Sequence, residues 1–376
     1  MLYFDHNATA PVLREAGEAW LEATEKIHGN PSSPHAFGAA ARKAMTEARE
    51  RLACFLGCHS EDIIWTSGAT EANNMALHYF AHALDAKAGI WISAIEHPCI
   101  HDAAREYFGR RARVIPVTHD GVLDLDWLTT EMADTRPGLV AVMAANNETG
   151  VIQPWREILA ICRTYEVPFL TDAVQWLGKL PAQGLGDCGY VTGAAHKFGG
   201  PRGVGFLKVP HKQKISPLLY GGKQERGQRA GTENIPIILA LLTALEAREK
   251  QLTRGDHETR AVWKEKFEKL LVRQVPGATV VGARVPRLWN TTSALMPEGG
   301  QLRWVTRLDK AGFAVSTGSA CTTGKEEPSH VLSAMGYKAG HVTQVLRFSS
   351  GWETTAADWE ALEKGIVKVF GEVHHG

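Results

Sequence analysis

From about residue 34 to 252, short runs apolar on both faces alternate with amphipathic stretches of helical length. No other feature constrains the fold so tightly. Asp62-Ile63-Ile64-Trp65-Thr66 reads as a strand, and Ser67-Gly68-Ala69-Thr70 then opens a helix carrying Ala72, Met75, Ala76 and Leu77. Ile90 to Ile92 is the next strand, followed by a helix from Pro98. Val114 to Val117, Leu139 to Ala144, Pro168 to Leu170 and Tyr190 to Thr192 continue the series. Strands without a polar face, separated by helices, predict a mostly parallel sheet covered on both sides.

After Pro236 the pattern changes to one or two long helices over 236–274. Beyond 275, strands are predicted at Trp289 to Leu295, Ala314 to Thr317 and Val345 to Ser349, with helices over 300–311 and 355–370. That is an α+β segment with its own small sheet, so a domain boundary is expected near residue 250. The length of 376 residues agrees with two domains.

Composition narrows the function classes. Lys plus Arg and Asp plus Glu are 41 each, so the formal net charge is zero. That balance argues against a nucleic-acid binder or a polybasic membrane protein. The first residues lack the basic start and apolar run of a secretory signal. The most apolar run, Ile235 to Leu245, is short of the ~20 residues a bilayer needs. The expected location is therefore the cytoplasm. Six cysteines (54, 58, 99, 162, 188, 321) show no CxxC pair and no zinc spacing. Most are expected to fill core space as small hydrophobes.

Several polar groups fall at strand ends. Ser67-Gly68-Ala69-Thr70-Glu71 is a small-residue turn at a helix start, which either cradles a phosphate or is an ordinary cap by Thr66 or Ser67. Asp172, in Thr171-Asp172-Ala173-Val174-Gln175, sits where open α/β sheets bind ligands, or else caps a helix. His196-Lys197 precedes a glycine-rich turn, and a buried lysine there would be a nucleophilic amine, as a Schiff base needs. His97, before Pro98, and Asn147, in Asn146-Asn147-Glu148-Thr149-Gly150, follow strands in the same way. Taken singly each has a bland reading. Their convergence on one crevice makes a site the better one.

Two stretches lie outside that series. Gly221 to Thr232 holds four glycines and three basic residues, and is either a flexible surface loop or one shaped around an anion. Ser316-Thr317-Gly318-Ser319-Ala320-Cys321-Thr322-Thr323-Gly324 places Cys321 among small hydroxylated residues rather than apolar ones. An accessible, reactive thiol is expected there.

Asp172-Ala-Val-Gln175, His196-Lys197, Ser67-Gly-Ala-Thr-Glu71, Gly221-Gly-x-Gln-Glu-Arg-Gly-x-Arg-x-Gly-Thr232, Ser319-Ala-Cys321-Thr and Arg347-Phe-Ser together resemble a cysteine desulfurase. Tyr3-Phe-Asp-His-Asn-Ala-Thr-Ala-Pro11 and Gly29-Asn-Pro-Ser-Ser33 resemble the start of that family, and the match spans essentially the whole chain in order. The likeness is to the NifS- and IscS-like branch of the class-V aminotransferases. It implies an α/β, fold-type-I transferase dependent on pyridoxal 5'-phosphate. Its large domain, 14–250, would carry a mostly parallel seven-stranded sheet. Residues 1–13 and 251–376 would form a smaller α+β domain bearing the cysteine loop at about 316–328.

The resemblance also implies roles. L-cysteine would yield L-alanine, with the sulfur kept as a persulfide on Cys321. Lys197 would hold the cofactor as a Schiff base and move the substrate's Cα proton. Asp172 would pair with the ring nitrogen, His97 would stack on the ring, and Gln175 would hydrogen-bond its hydroxyl. Asn147 would lie beside the ring oxygen and the substrate. Ala69, Thr70 and His196 would hold the phosphate, and Thr232 would reach it from the other subunit of a homodimer. Arg347 would clamp the substrate carboxylate, a task its planar fork suits. The sulfur acceptor would be a protein such as a cluster scaffold, with no metal, nucleic acid or membrane involved.

One position departs from the family. Where members commonly carry a phosphate-binding hydroxyl, two residues before the histidine of the His-Lys pair, this chain has Ala194. Two rivals share the fold: a selenocysteine lyase or related enzyme, and a catalytically weak sulfur carrier.

Overall fold

A computed structural model describes residues 1–297, 300–318 and 328–374. Thirteen strands are present among them: β1 (Leu2–Tyr3), β2 (Ile63–Thr66), β3 (Ile90–Ser93), β4 (Ala112–Ile115), β5 (Val140–Ala141), β6 (Phe169–Asp172), β7 (Tyr190–Ala194), β8 (Gly205–Lys208), β9 (Thr279–Val280), β10 (Thr291–Leu295), β11 (Phe313–Ala314), β12 (Ser316–Thr317) and β13 (Val345–Ser349).

The large sheet has seven strands in the order 2-8-7-6-5-3-4. All its pairings are parallel except those of β8, which runs antiparallel to both β2 and β7. Strands β2, β3, β6, β7 and β8 are buried at every position, as the unbroken apolar runs require. One face packs Met45, Leu52, Trp155 and Phe198, and the other packs Met75, Phe80, Ile100 and Phe108. The helix Ile235–Thr253 lies against the helices Arg14–Lys26 and Ala36–Leu56 and is apolar over much of its surface, which suits its burial.

A second sheet, ordered 12-13-10-9, is antiparallel and backs onto the helices Asp256–Gln274 and Ala356–His374. Its core of Phe267, Trp304, Phe348 and Trp359 also takes in Phe4 from the start of the chain. Strand β1 pairs with β11, and Asp5 bridges to Ser349. The first residues are thereby stitched into the second sheet. Among the described residues no helix is long and apolar enough to cross a membrane.

Three differences from the sequence-based expectation have local causes. Strand β8 was not expected, because it follows Gly199-Gly200-Pro201-Arg202-Gly203, which reads as loop. It is a true interior strand, and its Lys208 Nζ donates to the carbonyls of Gly186 and Cys188 at 2.8 and 2.7 Å. The run Ala314 to Thr317 is two short strands, each pairing with a different partner. The Leu139–Ala144 run pairs as a strand only at Val140–Ala141. The 236–274 region, expected as one or two helices, is two, parted at Gly255 with φ 74°.

Cysteines divide more finely than expected. Cys162 and Cys188 are buried core residues, Cys54 is exposed, and Cys99 borders the cleft described below. Cys321 lies outside the described residues, as do its neighbours Ser319, Ala320 and Thr322 to Glu327.

Candidate active site

The parallel strands β2, β3, β5, β6 and β7 end on one side of the sheet, and the turns after them surround a cleft of about 620 Å³. Ala69, Thr70, His97, Asn147, Asp172, Gln175, Ala194, His196, Lys197 and Arg347 all border it. A crevice beyond the carboxyl ends of the strands is where an open α/β sheet leaves loops and helix starts free to bind.

Asp172 is the last residue of β6 and is 6% exposed. Its Oδ2 accepts from Asn73 Nδ2 at 2.8 Å and its Oδ1 from Val174 N at 2.9 Å. Asn73 Oδ1 in turn accepts from Thr192 Oγ1 at 2.9 Å, which fixes the amide and hence the carboxylate. Two bonds leave a carboxylate with acceptor capacity for a ligand.

Lys197 follows β7, and its Nζ donates to the carbonyls of Asn7 and Ala8, both at 2.7 Å. The amine is therefore held on the opening segment of the chain. His97 caps the helix Pro98–Phe108, its Nδ1 accepting from Cys99 N at 3.2 Å. Burial lowers its pKa, with Asp172 working against that and Lys197 with it. His196 is pushed down to about 4 by burial and by the charges of Lys197, Arg202 and Lys179.

The helix Ala69–Ala83 begins at Gly68 with no side-chain cap. Neither Thr66 nor Ser67 caps it, so the ordinary-cap reading of that turn fails. Glu71 in the first turn does not compete for an anion. Its Oε2 accepts from Ser67 N at 2.7 Å, and Arg229 Nε reaches its Oε1 at 2.8 Å. Burial works to raise the Glu71 pKa, but these hydrogen bonds outweigh it and hold the carboxyl below its ordinary value. Gly205 makes the turn possible, since a Cβ there would lie 2.5 Å from Gly193 O and 2.7 Å from Gly68 Cα.

From the second sheet, Arg347 on β13 enters the cleft at 2% exposure. One Nη donates to Asn147 O at 3.0 Å and the other to Asp5 Oδ1 at 2.8 Å, while Nε has no partner among the described residues. A buried guanidinium with donor capacity to spare suits a carboxylate ligand.

Thr232 is exposed and does not border this chain's cleft. Both arginines of the Gly221–Thr232 loop are engaged with protein groups of the same chain. Arg226 donates to Ile63 O, Arg229 neutralises Glu71, and buried Glu225 pairs with Arg49 and accepts from Trp65 N.

Sequence reasoning passed over five residues here. Asn7 bonds Asn147, Thr291, Lys179 and Asn290. Asn73 orients Asp172, and its place three residues after Thr70, on the same helix face, was a usable signal. Glu148 is buried and accepts from Ser329 Oγ at 2.5 Å. Burial raises its pKa, against the Ser329 bond and the charges of His330 and Arg347. His330 borders the cleft with Nε2 2.8 Å from Glu96 O. Lys179 lies beneath the cleft.

A strand-end lysine and aspartate, a free helix start and a buried arginine define a site of the pyridoxal-phosphate type on a fold-type-I sheet. The chain belongs to the aminotransferase class-V family, whose model matches residues 2–362. It is 37% identical over 380 residues to the cysteine desulfurase IscS of Dictyoglomus turgidum, covering 98% of this chain and 95% of that one. It is 38% identical to a cysteine desulfurase of Trichormus azollae, covering 99% and 92%. Among solved structures, a NifS-like protein from Rickettsia africae superposes with a TM-score of 0.89 at 31% identity over 99% of both chains. The family resemblance and the fold class read from the sequence are thus borne out.

The described residues fit pyridoxal 5'-phosphate, the cofactor of this family. An amine, a carboxylate with open acceptor capacity and an uncapped helix start stand around one cleft. The fit includes Ala194, 1% exposed at the cleft wall, which offers the phosphate no hydroxyl.

Proposed function

We propose that this protein is a pyridoxal 5'-phosphate-dependent cysteine desulfurase. It takes the sulfur of L-cysteine, releases L-alanine and holds the sulfur on Cys321 for an acceptor. The observation that carries the reading is the meeting of Lys197, Asp172 and Arg347 in one cleft that also reaches Gly318 and Pro328, on either side of the segment bearing Cys321. The relatives' printed names support it.

When bound, the cofactor supplies an electron sink for the bonds broken at the substrate's Cα. Everything else falls to the chain. Lys197 anchors the cofactor and moves the Cα proton. Asp172, oriented by Asn73, keeps the ring nitrogen protonated, because an adjacent carboxylate favours the charged form. His97, whose pKa burial lowers, would cover the cofactor's ring. Ala69, Thr70 and His196 take the phosphate at the helix start. Arg347 and Asn147 hold the substrate's carboxylate and orient Cα. Cys321 takes the sulfur as the C–S bond breaks, and a proton replaces it on Cβ to give alanine.

The working enzyme is a homodimer in which Thr232 completes the partner's phosphate site. Its exposure away from its own cleft supports that reading. The acceptor is a protein such as an iron–sulfur cluster scaffold. The cytoplasm is the fitting compartment: Cys54, Cys58, Cys99, Cys162 and Cys188 are unpaired, and a thiol relay needs reducing surroundings.

The test is single-turnover reaction with L-cysteine, measuring alanine and trapped persulfide together in wild type, Lys197→Ala and Cys321→Ser. Both variants should lose alanine release, and only Cys321→Ser should keep the cofactor's visible band. Near-normal alanine release by Cys321→Ser would refute the sulfur path. A strong preference for L-selenocysteine, with no persulfide, would favour a lyase instead.

A further inference from the structure

Lys179 is 3% exposed and lies beneath the cleft, on the turn after Gln175. Its Nζ bonds Gln175 Oε1 and, at 3.1 Å, Asn7 Oδ1. An amine bearing N–H groups toward two amides requires the oxygen of each to face it. The far ends agree. Gln175 Nε2 donates to Asn7 O at 3.0 Å, and Asn7 Nδ2 donates to Asn147 O and Thr291 Oγ1 at 3.1 and 2.9 Å. Carbonyl oxygens can only accept, so neither amide can flip without stranding a buried donor or acceptor.

We propose that Lys179 is a positioning residue that fixes which end of the Gln175 amide faces the cleft, making Gln175 a hydrogen-bond donor to the cofactor. The proposal deepens the function argued above and rests on it, since it concerns what Gln175 offers a ring oxygen. Gln175 Nε2 carries two hydrogens, and Asn7 O takes one. The second remains for the cleft, which Gln175 borders. Were the amide reversed, a carbonyl would face the ring oxygen and repel it. The same amine orients Asn7, whose contacts reach Asn147, Asn290 and Thr291. One buried amine thus sets the polarity of a string of amides between the two sheets. Burial pushes the Lys179 ammonium well below the usual lysine range, and Lys197 and Arg347 push the same way. Two N–H groups remain in either protonation state, enough to donate to both amide oxygens.

The test combines cofactor affinity with a readout that needs no cofactor. In the cofactor-free protein with labelled glutamine, the Gln175 side-chain amide protons should exchange slowly in wild type and at least about tenfold faster in Lys179→Met. The dissociation constant for pyridoxal 5'-phosphate should rise about tenfold in Lys179→Met and in Gln175→Ala. The double variant should lose no more than Gln175→Ala alone. Lys179→Gln, which keeps a donor, should recover most of the loss. Additive losses in the double variant, or no recovery in Lys179→Gln, would overturn the proposal. If Lys179→Met does not fold, the wild-type measurement decides: Gln175 protons exchanging as fast as those of an exposed glutamine would overturn it. A wild type with no affinity for the cofactor would instead sink the proposed function, and the exchange result would stand apart from it.

Discussion

Acid should loosen this protein through His6, and the size of the effect follows from where that ring sits. His6 is 7% exposed, edge-on to Tyr3 at 5.0 Å, and so close to the Gly351 backbone that a Cβ there would lie 2.1 Å from its Cε1. Burial lowers its pKa from 6.5 to about 4; Lys179 and Arg248 add to this, while Glu353 opposes it. The folded-state pKa is below the unfolded one, so between those values the unfolded chain binds the extra proton. Stability from a neutral His6 is therefore complete above pH 6.5 and lost as pH falls toward 4. A shift of that size corresponds to about 3 kcal/mol. His6→Leu removes the titration while keeping an apolar side chain of similar bulk. His101 and His196, also pushed down to about 4 by burial, titrate in both proteins and cancel in the comparison. Urea unfolding at about pH 7, 5.5 and 4, followed by circular dichroism and tryptophan fluorescence, measures the gap between wild type and variant. Over that range wild type should lose about 3 kcal/mol more than His6→Leu. A gap that does not change with pH would refute the reasoning.

Other expectations concern the phosphate end of the cleft. Ala194→Ser should restore a hydroxyl there and slow cofactor loss during dialysis by up to about tenfold, leaving the chemical step unchanged; an unaltered rate of loss would mean the phosphate is already satisfied, for example by water. Gly205→Ala should drive a Cβ into the backbone of Gly193 and Gly68, cost about 1–3 kcal/mol and weaken cofactor binding by displacing the helix start. Melting with unchanged cofactor affinity would separate that glycine's packing role from the site.

The parts of the site that were legible in the sequence are those with local spacing. Asp172, His97 and the His196-Lys197 pair stand directly after apolar runs, so the strand pattern alone carries them to one edge of the sheet. Asn7 and Lys179 escaped because their importance lies in partners far along the chain. Asn7 bonds residues 140 and 284 positions away, and no local pattern encodes that. Strand β8 escaped for a different reason. Its four residues follow a glycine-rich turn, and its place is set by pairing with β2 and β7 on either side. The change from short alternating strands and helices to long helices near residue 250 was visible in the sequence, whereas the stitching of Phe4 into the second core was not readable from periodicity.

The stitching of the first residues into the last strand puts a clock on the site. Asn7 N donates to Ser349 Oγ across 342 residues, and Asp5 meets Arg347 across the same span. Lys197 rests on the carbonyls of Asn7 and Ala8, a segment held both by early partners such as Gln175 and Asn147 and by these late ones. During synthesis the seven-stranded sheet is complete once residue 208 has emerged, and such units fold as they appear. The amine of Lys197 then waits on a finished sheet while nearly half of the chain is still to be made. The last contacts to the segment that cradles it come with residues 345–349. A chain cut short before β13 would therefore carry Lys197 without Arg347, the guanidinium that shares its cleft.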